Sequence, residues 1–165
     1  MVLNETELCR DALQFVDLST HLSSNLKPER KGGVLTVARG LYDFHNMRSW
    51  NIGQVSDPNK LKKYHIFSRE KIYRLQADWL RDPTIISSWW TREEEIKRYG
   101  GAVLLPYEKG HTIFSFSGLD EHVDEAVSLM VGREYADDDS VRRIIEQSKN
   151  LVYPEMFEMY QRMAA

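Results

Sequence analysis

The chain has 165 residues, 42% of them apolar and 28% charged, with a formal net charge of −3. That is the length of one domain able to bury a core without staples, and the composition excludes a disordered chain. An isoelectric point near 6.0 offers no bulk attraction to nucleic acid or anionic lipid.

From Asn4 to about Leu26, Leu8, Ala12, Phe15, Leu22 and Leu26 recur every three or four residues and predict an amphipathic helix. Asn4 with Glu7 has the form of a capping arrangement, and Pro28 lies beyond the stop. Gly32-Gly33 opens the β-rich run "VLTVARG", which "YDFHNMRSW" follows after Gly40-Leu41, so the two predict a hairpin. "NIGQVSDPNK" reads as a loop, and the lysines of "KLKKYH" (60–65) read as its solvated continuation and not as a nucleic-acid patch.

Ser68 is placed to cap a helix running to about Arg81, with Ile72, Leu75 and Trp79 on one face and Pro83 ending it. "TREEEIKRYGG" predicts another helix, capped by Thr91 and closed by Gly100. A second hairpin turns at Lys109-Gly110. Its strand "HTIFSFSG" alternates Thr112, Phe114 and Phe116 against His111, Ile113, Ser115 and Ser117, the serines being placed on a solvent or interface face.

"LDEHVDEAVSLMVG" predicts a helix with Val123, Ala126, Val127 and Met130 inward. A last helix begins near Ser140, and Pro154 breaks or kinks it before a Met-rich tail. The order α-β-β-α-α-β-β-α-α implies an α+β fold: an antiparallel sheet of two hairpins flanked by helices, in one domain spanning 1–165.

Cys9 is the single cysteine and has no disulfide partner within the chain, which fits a reducing, cytoplasmic setting. Neither a signal-peptide pattern nor an apolar run of membrane-spanning length occurs, so no membrane partner is expected. The five histidines show no metal-ligand spacing, and no phosphate loop is present. Asp43 and His45, two residues apart on a strand, read either as a surface pair or as an orienter and base. Cys9, Ser115 and Ser117 lack a nucleophile's setting, and no catalytic residue is assigned.

Four stretches carry a resemblance: "SREKIYRL" (68–75), "GGAVLL" (100–105), "FSFSG" (114–118) and "DEHVDEAVSLM" (120–130). Together they resemble the GlcG/HbpS-like, or haem-degrading domain, family between Val34 and Gly132, with a helical extension from about residue 133. The resemblance implies a three-layer, profilin-like fold, assembly into homo-oligomers and, as in several members, haem binding.

On that reading Tyr107 or His111 would supply an axial ligand, Trp89 and Trp90 would form walls, and Arg98 would meet a propionate. Gly100-Gly101 and Ser117-Gly118 are either junctions between elements or a backbone rim tolerant of anions. The function expected is small-molecule binding, most plausibly of haem or another tetrapyrrole. The alternatives are an oligomeric interaction module serving a pathway partner, or an accessory enzyme acting on a small hydroxy acid or aldehyde.

Overall fold

Alternation and capping place most elements where the sequence puts them. The computed structural model describes residues 3–40, 46–107 and 110–165. The elements are α1 (Glu5–Ser19), β1 (Lys31–Arg39), β2 (Met47–Gln54), α2 (Pro58–Arg81), β3 (Ala102–Tyr107), β4 (Gly110–Ser117), α3 (Glu121–Gly132), α4 (Asp138–Ser148) and α5 (Val152–Ala164). The strands form one antiparallel sheet in the order β2-β1-β4-β3.

Helices cover both faces, which makes this an α+β sheet between helical layers. On one face Leu35, Val37, Phe114 and Phe116 meet α1 and α3 through residues such as Leu8, Phe15, Val127 and Met130, with α5 packed outside. On the other lies α2, packed across β1, β4 and β3. That second face is where sequence reasoning expected exposure for Ser115 and Ser117, and both are buried there. The Ser68 hydroxyl of α2 donates to Thr36 Oγ1 at 2.7 Å and to the Ser115 carbonyl at 3.2 Å. Short hydroxyl side chains let the helix sit close to the strands while satisfying one another.

Three expectations change. Ser68 does not cap α2: the helix begins at Pro58, and Asp57 caps it by accepting the Asn59 amide at 2.8 Å. Proline at the first helical position after an Asp is a start signal, and the lysines behind it are helical surface, not loop. The segment 91–100 is no helix but a single 3₁₀ turn, Glu94–Ile96, closed by Glu93 and Arg98 exchanging backbone hydrogen bonds. Its one aliphatic residue, Ile96, is exposed, so nothing drives a helical face onto the core. Pro154 sits inside the first turn of α5, and the break before it falls at Lys149, whose φ is +53°.

The smaller shifts are in boundaries. α1 stops at Ser19, and β2 extends through Asn51–Gln54, which the sequence assigned to a loop. Asn4 caps α1 as expected, accepting the amides of Thr6 and Glu7. Asp43 and His45 lie outside the described residues, as does Lys109. Among the described residues no helix is long and apolar enough to cross a membrane.

Candidate functional site

Where β4 ends and α3 begins, a lysine and an aspartate face each other inside the protein. Lys71 stands on the sheet-facing stripe of α2, beside Ser68, Ile72 and Leu75, all buried. Its Nζ donates to the Phe116 carbonyl at 2.7 Å and to Asp124 Oδ2 at 3.0 Å. Asp124, one turn into α3, also accepts the Leu119 amide on Oδ1 at 2.9 Å. The two side chains are 1% and 5% exposed. Burial outweighs these favourable contacts and raises the Asp124 carboxyl to about 6, well above the usual carboxylate range.

Of the glycines that bracket the second hairpin, Gly101 makes room for this pair and Gly118 for the neighbouring strand β1. Gly101 has φ +121°, and a Cβ there would lie 2.8 Å from both Asp124 Cβ and Lys71 Nζ. At the other end, Gly118 has φ +149°, and a Cβ there would lie 2.4 Å from the Gly32 carbonyl oxygen. Gly100, read as a helix cap, has no helix to close, and Gly101 is the gap into which the ion pair packs.

Above the pair opens a cleft of about 350 Å³. Tyr64, Phe67 and Tyr99 supply aromatic surface, Lys27 and Arg30 supply cations, and Lys71 and Asp124 contribute from below. Phe67 and Tyr99 meet edge to face at 5.4 Å. Of the expected backbone rim, Ser117 and Gly118 line the cleft. The Gly100 amide instead donates to Glu121 Oε1 at 2.9 Å, and Glu121 also holds Arg92 at 2.8 Å.

Of the residues expected around a tetrapyrrole, Trp89 and Trp90 lie together, while His111 lies apart from them. Trp89 packs beside Gly100, stacks on His122 at 3.8 Å and carries the Arg92 guanidinium 4.5 Å from its ring centre. Trp90, 61% exposed, lines a separate hollow with Trp89, His122 and Lys149. His111 packs at a tilt against Trp79, ring centres 4.8 Å apart, near the turn end of the hairpin, where burial lowers its pKa. From Gly100 to the His111–Pro106 pair is roughly 20 Å of strand, so Trp89 and His111 do not face one ligand. Arg98 sits in the 3₁₀ loop, 3.9 Å from Glu93. Tyr107 ends β3, and its side chain lies outside the described part of the structure.

A second buried acid lies on the far side of α3. Glu125 accepts from the Ser87 hydroxyl and, at 2.9 Å, from Asn150 Nδ2, and burial raises its pKa. It ties the segment beside β3 to the α4–α5 junction. Among the described residues no group of three or more His, Cys, Asp or Glu is gathered to hold a metal.

Sequence reasoning passed over Lys71 and Asp124. The signal for Lys71 was a lone cation within the buried stripe of α2; for Asp124, an acid flanked by the inward-facing Val123 and Ala126. The four stretches that carry the family resemblance each contribute to this one place, through Lys71, Gly101, Phe116 with Gly118, and Asp124. No model of a known protein family, no curated protein and no solved structure matches the chain.

Proposed function

We propose that this protein binds a small polar molecule in the cleft above Lys71 and Asp124. One observation carries the reading: a buried ion pair lies at the base of an open, aromatic-walled cleft. Ion pairs buried this deeply are seldom the cheapest way to hold a fold together, and titratable groups perturbed by burial inside a cleft mark binding and catalytic sites. The convergence of the four motif stretches here also supports the GlcG/HbpS-like resemblance. Haem gains less, because Trp89 and His111 belong to different parts of the surface. The solitary, half-buried Cys9 suits a reducing, cytoplasmic setting.

A panel of hydroxy acids, amino acids and sugar phosphates, screened by thermal shift, tests the reading. Compounds that stabilise the wild type should also stabilise Trp89→Ala, which lies outside the cleft, and should lose their effect on Asp124→Asn. Equal stabilisation of Asp124→Asn would place binding elsewhere.

Self-association is a second reading, favoured by the outer face of α2. Ile66, Tyr73 and Leu80 recur there at seven-residue intervals and remain 57%, 48% and 48% exposed. Two copies paired antiparallel about Tyr73 would set Ile66 of each against Leu80 of the other, and the lysine-rich start of one helix near Asp78 and Asp82 of the other.

A further inference from the structure

The cleft does not end at Tyr64. A second chamber of about 270 Å³ adjoins it, and Arg30, Tyr64 and Gly118 line both. The shared wall comes from one face of α2, where Lys60, Tyr64, Phe67 and Lys71 follow at spacings of four, three and four residues. At 1.5 Å per residue that face runs about 16 Å from the outer lysine to the buried one.

The outer chamber differs in charge from the inner one. Arg30, Lys31 and Lys60 line it, against Glu29 and Asp57. The Asp57 carboxylate is already engaged in capping α2, accepting the Asn59 amide at 2.8 Å. Lys31 and Lys60 are exposed and enter no ion pair among the described residues. The inner chamber's cations, by contrast, have partners: Lys27 stands 3.9 Å from Asp120, Lys71 holds Asp124, and Arg30, on the wall between the chambers, donates from Nη1 to the Leu119 carbonyl at 3.1 Å. Unpaired positive charge therefore collects at one end, aromatic surface in the middle and a saturated ion pair at the other end.

The geometry points to a ligand with a phosphate monoester at one end, held by Arg30, Lys31 and Lys60, and a flat group lying along Tyr64 and Phe67 toward Lys71; this rests on the cleft being the binding site. Arginine with lysine is the usual donor set for phosphate oxygens, and the three terminal oxygens of a phosphate monoester can accept from Arg30, Lys31 and Lys60 at once, as the two of a carboxylate cannot. The aromatic wall suits a planar ring beside the phosphate.

Phenyl phosphate is the probe, titrated into the ¹⁵N-labelled full chain at constant ionic strength and followed by amide shifts. Benzoate, phenol and inorganic phosphate are titrated in parallel. Phenyl phosphate should move the amides of Lys31, Gly32 and Gly118 saturably, and Lys31→Gln/Lys60→Gln should weaken it by about tenfold. Unchanged affinity in that variant, or no saturable movement, overturns the phosphate subsite while leaving the inner cleft standing. Benzoate binding as tightly as phenyl phosphate overturns the choice of a dianion. Failure of the inner cleft reads differently: Asp124→Asn then leaves small-ligand stabilisation unchanged, whatever the outer lysines do.

Discussion

Lys71 on α2 and Asp124 on α3 lie 3.0 Å apart at the end of the β4 strand, 53 residues apart in the chain and nearly sealed from water. The Lys71 ammonium also holds the last carbonyl but one of β4, and Asp124 also holds the Leu119 amide that follows the strand. The pair thus clamps the strand end from both helical layers.

Breaking one side of such a clamp leaves the other charge buried and alone. Lys71→Met or Asp124→Leu should each cost about 3 kcal/mol or more. The double variant, which removes both charges and fills the space with apolar groups, should recover much of that loss. Urea unfolding of the four proteins measures the coupling.

The raised Asp124 pKa fixes the direction of a pH effect. The folded state holds the Asp124 proton more tightly than the unfolded chain, with a pKa of about 6 against the ordinary 3.8 of an aspartate. That contribution is fully present below pH 3.8 and is lost as pH rises through 6, a fall of about 3 kcal/mol. Glu125 adds in the same direction, from 4.5 upward. Glu155 opposes them at the acid end: hydrogen bonds from Ser23 and Ser24 hold it at about 2, so its contribution is lost as pH falls from 4.5 toward 2. Unfolding free energies between pH 4 and 7.5 should therefore decline in the wild type and decline less in Asp124→Asn.

Gly101→Ala should be far more costly than its size suggests. The new methyl would need φ +121° and would press on Asp124 Cβ, which has little room to move. A loss of about 2 kcal/mol or more is expected, whereas Gly40→Ala, at φ +73° but with nothing within 4 Å, should cost only backbone strain. Thermal melting of both variants separates crowding from strain.

If α2 mediates self-association, Tyr73→Glu should turn a dimer into a monomer without changing the melting temperature measured at low concentration. Light scattering on a sizing column reports the mass directly. A monomeric wild type at high concentration would remove this face from consideration.

The two hairpins of the sheet were largely legible, because local signals announce them, whereas the β1–β4 pairing that joins them is long-range and was not read. The alternation of Thr112, Phe114 and Phe116, and the Asn4 cap that accepts the Thr6 and Glu7 amides, need only neighbours along the chain. The start of α2 was written as Asp57-Pro58 and hidden by the lysines after it. The clamp was not legible at all, since no local rule pairs Lys71 with Asp124. Its traces were the lone cation and the lone acid on buried faces and Gly101, which must stay bare where Lys71 and Asp124 meet. For Trp89 and Trp90 the sequence showed aromatic surface in a connecting segment but not its neighbours: Trp89 is stacked on His122 beneath Arg92, away from the clamp.

The measurement that bears most directly on function is an amide-shift map of the labelled protein against the small-molecule panel. Binding at the clamp predicts that active compounds move Gly101, Gly118, Leu119 and Asp124 together, and that Lys71→Met abolishes the response. Shifts confined to Trp89, Trp90 and His122, or to the neighbourhood of His111, with the clamp amides still, would contradict it.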